Sequence, residues 1–96
     1  MELFAFLRIH AGEGKAGTLE EALEEVLQAS REEPGCLEIH GYRSIRDARL
    51  FYIHSKWKDE GAFEGHAKLP HTVKFLKKVE ALVDQPLDVT RTERIG

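Results

Sequence analysis

Residues 36–57 read Cys-Leu-Glu-Ile-His-Gly-Tyr-Arg-Ser-Ile-Arg-Asp-Ala-Arg-Leu-Phe-Tyr-Ile-His-Ser-Lys-Trp. Two runs of alternating character flank a polar turn. In 36–43, Leu37 and Ile39 point one way and Glu38, His40 and Tyr42 the other. In 50–57, Phe51, Ile53, Ser55 and Trp57 oppose Tyr52, His54 and Lys56. A period of two marks a half-buried strand. The short connection, centred on Ser44-Ile45-Arg46-Asp47-Ala48, predicts an antiparallel hairpin. What lies on either side of this hairpin decides the fold.

Upstream, residues 2–10 form another strand, with Leu3, Ala5, Leu7 and Ile9 on one face and Phe4, Phe6, Arg8 and His10 on the other. A glycine-rich loop follows. Thr18-Leu19-Glu20-Glu21 then predicts a capping box, the Thr18 hydroxyl and the Glu21 carboxylate each satisfying an end N–H of a helix. Leu19, Ala22, Leu23, Val26, Leu27 and Ser30 recur at helical spacing as its inner stripe. Glu33-Pro34-Gly35 stops it. Downstream, a short helix from Lys58-Asp59-Glu60 runs to about Leu69, where Pro70 interrupts. A second helical piece turns Val73, Leu76, Val79, Leu82 and Val83 inward and ends at Asp84-Gln85-Pro86. Residues 87–93 make a last strand.

The order β-α-β-β-α-β is the split βαβ of the ferredoxin-like α+β fold. It predicts a four-stranded antiparallel sheet with the helices on one face, and a single domain over residues 1–96. The first strand is apolar on both sides, and strands of that kind are covered on both sides. The chain holds no third layer. A second copy of the same sheet is the expected cover, giving a homodimer packed through sheet faces.

Composition narrows the function. Lys and Arg total 14 against 17 Asp and Glu, a net charge of −3. Nucleic-acid and anionic-membrane partners call for a basic footprint that this chain lacks. No apolar run is long enough to span a bilayer, and the first residues lack a basic leader region. Cys36 is the only cysteine, which rules out an internal disulfide and predicts a cytoplasmic setting. The chain has no Asn, two Gln and 32% charged residues. That pattern predicts a heat-adapted source, to be checked by a melting temperature above the mesophile range.

The region from Glu33 to His71 carries a denser pattern: Glu33-Pro34-Gly35-Cys36-Leu37, then Ser44, Asp47 and Phe51, then Trp57-Lys58-Asp59-Glu60, Ala62, His66 and Pro70-His71. It resembles the antibiotic biosynthesis monooxygenase family, which are dimeric α+β barrel proteins. The resemblance implies a pocket between helices and sheet. It also implies cofactor-independent monooxygenation of a small phenolic or quinol substrate, without metal. Where the haem-degrading relatives have Asn, Trp and His, this chain aligns Leu7, His66 and Leu76. Leucine cannot be an axial ligand, so haem degradation is disfavoured. Two other activities stay open: a non-catalytic dimer that binds a small molecule, and an isomerase of a small keto compound.

His66 is the first candidate for chemistry, because the family places it beside the pocket and imidazole exchanges protons near neutrality. His71 is a second catalytic candidate, as donor to a substrate oxygen, or else a structural hydrogen bond across the helix break. Trp57, Phe63 and Phe51 are candidate substrate contacts; each also suits a core role. His66 and His71 stand five apart with a proline between them, which argues against a metal pair on one helical face. His10, His40 and His54 share a strand parity and are expected in a polar dimer seam rather than a zinc site. Cys36 is expected to be an inert, buried thiol.

Overall fold

Strand β1 (Leu3–His10) is an inner strand of a four-stranded sheet with order β2-β3-β1-β4, in which β2 is Cys36–Arg43, β3 is Leu50–Trp57 and β4 is Asp88–Thr92. Every neighbouring pair is antiparallel. The computed structural model, which describes all 96 residues, thus has the ferredoxin-like α+β fold. Register follows the side-chain pattern. β1 pairs β3 from Leu3↔Trp57 to His10↔Leu50, so Ala5, Leu7 and Ile9 share a face with Ser55, Ile53 and Phe51.

Helices α1 (Ala16–Arg31), α2 (Glu60–Lys68) and α3 (Pro70–Glu80) accompany the sheet. The inner sheet face packs with α1 and α3 into one core that includes Ile9, Leu19, Val26, Ile39, Phe51 and Val79. The opposite face carries Phe4, Phe6, His40, Tyr42, Tyr52 and His54 and has no cover within the chain. Phe6 on it is 45% exposed. No helix is long and apolar enough to cross a membrane.

Several local expectations are corrected. The capping box does not form. Gly14 adopts a positive φ of 75°, the Lys15 N–H closes a turn on the Gly12 carbonyl, and α1 starts at Ala16. Thr18 is therefore already inside the first turn, too late to serve as the N-cap, and Lys15 in that place supplies no side-chain cap. Leu37 does not face inward with Ile39: a bulge between Cys36 and Glu38 leaves it unpaired, and it is 49% exposed. The buried stripe of α3 is Thr72, Phe75 and Val79; Val73 is turned outward, and Leu76 is partly exposed at the rim of a cavity rather than packed in the core. That helix stops at Glu80, not at Asp84. Leu82 is buried from the following turn, and Val83 bridges to Ala11.

The break at Pro70 decides where the histidines go. Asp59 caps α2 by accepting the Ala62 N–H at 2.8 Å. Leu69, in extended conformation (φ −71°, ψ 149°), ends α2 and begins α3, with Pro70 at the first helical position. In one unbroken helix, positions five apart would face about 140° away from each other. The break removes that constraint.

Candidate active site

Glu33 lies in the turn just after α1, and Gly35 lets that turn approach α2. A Cβ on Gly35 would stand 2.6 Å from the Cβ of Ala62, so only glycine fits there. The close approach brings the Glu33 side chain, which is 11% exposed, beneath both helices. His66 Nδ1 and His71 Nε2 each lie 2.7 Å from Glu33 Oε2. A carboxylate only accepts, so each of these nitrogens carries the proton that it donates. His66 Nδ1 also lies 3.3 Å from Thr72 Oγ1. The His66 ring rests 4.5 Å from the Trp57 ring and 5.9 Å from that of Phe63. Its Nε2 has no hydrogen bond to the protein. With Nδ1 protonated, a neutral ring presents Nε2 as the free acceptor.

His66 borders a cavity of about 340 Å³ between the inner sheet face and all three helices. That volume is within the range of small-molecule sites, roughly 300–1,000 Å³. Ala5, Leu7, Ile53, Phe63 and Phe75 supply apolar wall. Ser30, Ser55, Thr72, His66 and Arg91 are the polar residues along it. Arg91, on β4, reaches to α2, where its Nη1 donates to Glu60 at 2.7 Å and Glu64 at 3.1 Å. Its guanidinium lies 5.2 Å from the Phe63 ring centre. The two carboxylates, Glu60 foremost, hold Arg91 more firmly protonated than usual.

Of the five residues singled out from sequence, four gather here. His66 and Phe63 line the cavity, Trp57 is fully buried behind His66, and His71 meets Glu33 from outside the cavity wall. Phe51 does not join them. It is packed in the core beneath the Arg43 guanidinium, 4.8 Å from its ring centre, the core place that also suited it in the sequence. Across the proline break His66 and His71 turn toward one carboxylate, with ring centres 6.0 Å apart, and His71 makes the hydrogen bond across the break that was one of its two expected roles. Glu33 escaped the sequence reading because its place in a helix-stopping Glu-Pro-Gly already accounted for it. An acid directly before Pro-Gly, in a chain with His-x4-His across a proline, was the available signal.

Glu33, His66 and His71 are also a donor set that suits a divalent ion, their ligating atoms lying within 4.8 Å of one another. Atoms about 2.0–2.1 Å from one tetrahedral ion stand roughly 3.3 Å apart. The observed 2.7 Å separations are those of hydrogen bonds to a charged acceptor.

The other histidines separate. His40 and His54 are cross-strand partners on the uncovered face. His10, expected beside them, is buried at the end of β1, with Nδ1 2.6 Å from Asp84 and Nε2 3.0 Å from Asp47. The bond to Asp84, then that to Asp47, raises the His10 pKa above its ordinary 6.5. Asp47 is held below its usual value by the Arg49 backbone N–H and then by His10. Cys36 is partly buried, and burial, aided by the charge of Glu33, pushes its thiol pKa up, as an unreactive cysteine requires.

The sequence pattern of a family described as antibiotic biosynthesis monooxygenase matches residues 3–78. A Bacillus subtilis (strain 168) protein named "Putative monooxygenase YcnE" is 34% identical over 70 residues, 73% of this chain and 74% of that protein. Among solved structures, PA3566 from Pseudomonas aeruginosa is 30% identical, with a TM-score of 0.92 over 99% of this chain and 95% of its own. Rv0793 from Mycobacterium tuberculosis, at 19% identity, shares the fold, with a TM-score of 0.94 over 100% of this chain and 97% of its own.

Proposed function

The chain belongs to the antibiotic biosynthesis monooxygenase family, and from that premise we propose that it oxygenates a small phenolic or quinol substrate, with His66 as proton acceptor. The observation that carries this reading is a cavity-wall imidazole whose Nδ1 is held 2.7 Å from buried Glu33 while Nε2 stays free. A base must be within hydrogen-bond reach of the proton that it takes. Nε2 would accept the hydroxyl proton of a ring lying in the cavity. The resulting anion is electron-rich enough to pass an electron to O₂. The two radicals combine at a ring carbon to a hydroperoxide, which loses water. A dihydroxyarene plus O₂ then gives a hydroxyquinone plus water. The substrate supplies all four electrons, and no further reductant enters the balance.

Trp57 and Phe63 flank the imidazole and keep bulk water from the reacting pair. His71 takes the other side of Glu33 and so helps to fix the carboxylate that orients His66. Two copies would close the uncovered sheet faces over Phe4, Phe6, Tyr42 and Tyr52, so sedimentation should give twice the chain mass. A monomer would remove that part of the reading.

The test is oxygen uptake by metal-free protein with a dihydroxynaphthalene, measured above the protein-free rate. His66→Ala should lower the rate by about 10²–10⁴-fold, the usual worth of a positioned base, while circular dichroism stays unchanged. Full activity in that variant would defeat the assignment. Binding without uptake across a panel of quinols would favour the non-catalytic alternative.

A further inference from the structure

The inner stripe of α1 runs Leu19, Ala22, Leu23, Val26, Leu27 and then Ser30. Five apolar residues end in a hydroxyl that is fully buried and lines the cavity. A serine inside a helix ordinarily turns to solvent or bonds back to a carbonyl one turn earlier. Ser30 does neither, and its Oγ has no partner anywhere in the protein. Alanine would fit the same space, favour the helix more and leave no polar atom unsatisfied. A hydroxyl that weakens the empty protein is accounted for by a cavity ligand that bonds to it.

Its place narrows the ligand. Ser30 stands one turn before Glu33, and its carbonyl accepts the Glu33 N–H at 3.1 Å. The hydroxyl and the His66 ring line the same cavity, one from α1 and one from α2. We infer that Ser30 anchors a second oxygen of the substrate, so that the site selects dioxygenated aromatic rings over simple phenols. This rests on the oxygenase reading for the first oxygen, held at His66. A serine hydroxyl both donates and accepts. It suits the second oxygen as a hydroxyl before reaction and as a carbonyl after it.

The experiment compares the affinity of 1,4-dihydroxynaphthalene with that of 1-naphthol under argon, read from fluorescence of Trp57, the only tryptophan. The wild-type chain should favour the diol by about tenfold, the worth of one buried hydrogen bond. Ser30→Ala should bring that ratio to about one, with a melting temperature equal to or above that of the wild type. A ratio that survives in Ser30→Ala overturns the inference. So does a wild-type chain that shows no preference or binds neither probe, and so does a Ser30→Ala chain that melts several degrees lower. His66→Ala should keep the tenfold ratio. If that variant also keeps its oxygen uptake, the oxygenase reading fails while the anchoring role of Ser30 stands.

Discussion

Two clusters of histidine and carboxylate stand in this protein, and they are built in opposite senses. At the end of β1, one imidazole lies between two carboxylates, Asp47 and Asp84. Beside the cavity, one carboxylate lies between two imidazoles, His66 and His71. In the first, both ring nitrogens are occupied, so His10 serves as a cation that ties the hairpin turn to the loop after α3. In the second, each ring spends one nitrogen on Glu33. His66 keeps the other beside an apolar cavity. The functional groups are the same, but the stoichiometry differs: the ring with both nitrogens bonded holds structure together, and the ring with one nitrogen free can move a proton.

The sharpest way to break this contrast is Glu33→Gln. The amide keeps the volume but brings a donor as well as an acceptor, so it no longer dictates which His66 nitrogen is protonated. Turnover of a quinol should fall by about 10²–10⁴-fold, the scale of losing the correct tautomer elsewhere. The loss should appear in kcat with KM nearly unchanged, which separates orientation of the base from damage to the cavity. Equal turnover in the variant would show that Glu33 is only structural.

A smaller effect is expected at the other cluster. The folded-state pKa of His10 is raised, so its contribution to stability is whole below the unfolded value near 6.5 and is lost as pH rises through the folded one. Asp47 acts in the opposite sense. Its pKa is lowered, so its contribution is present above the ordinary 3.8 and disappears as pH falls through the folded value. Denaturant titrations should therefore show a plateau between these limits and a decline on the alkaline side. His10→Gln should lower the plateau and flatten the alkaline decline without changing the rate of oxygen uptake. An unchanged alkaline slope would remove the charged clamp, and lost activity would tie His10 to the cavity and dissolve the contrast between the two clusters.

The sequence made most of the architecture legible because strand and helix periods are local. Phe51, Ile53, Ser55 and Trp57 were assigned to one face by alternation, and the register with Leu3–Ile9 places them there. Where a local rule failed, another local feature had displaced it. A bulge at Leu37 shifted one side chain, and a turn at Gly12–Lys15 started α1 before its expected cap. The candidate site was only half legible. His66, Phe63 and Trp57 could be picked out through a resemblance, but residue type alone could not separate Phe51, packed in the core, from Phe63, lining the cavity.

By itself the sequence determined the order of the elements, the faces of the strands, the helix break at Pro70 and the family. Each of these is set by neighbours within a few positions, or by a motif read in line. Only the tertiary structure decided that Glu33 would meet both His66 and His71, that His10 would be held by two aspartates, and that Ser30 would be buried without a partner. Those outcomes depend on how helices end and pack against the sheet, which brings together side chains more than thirty residues apart in the chain. No period along the sequence encodes a meeting of that kind.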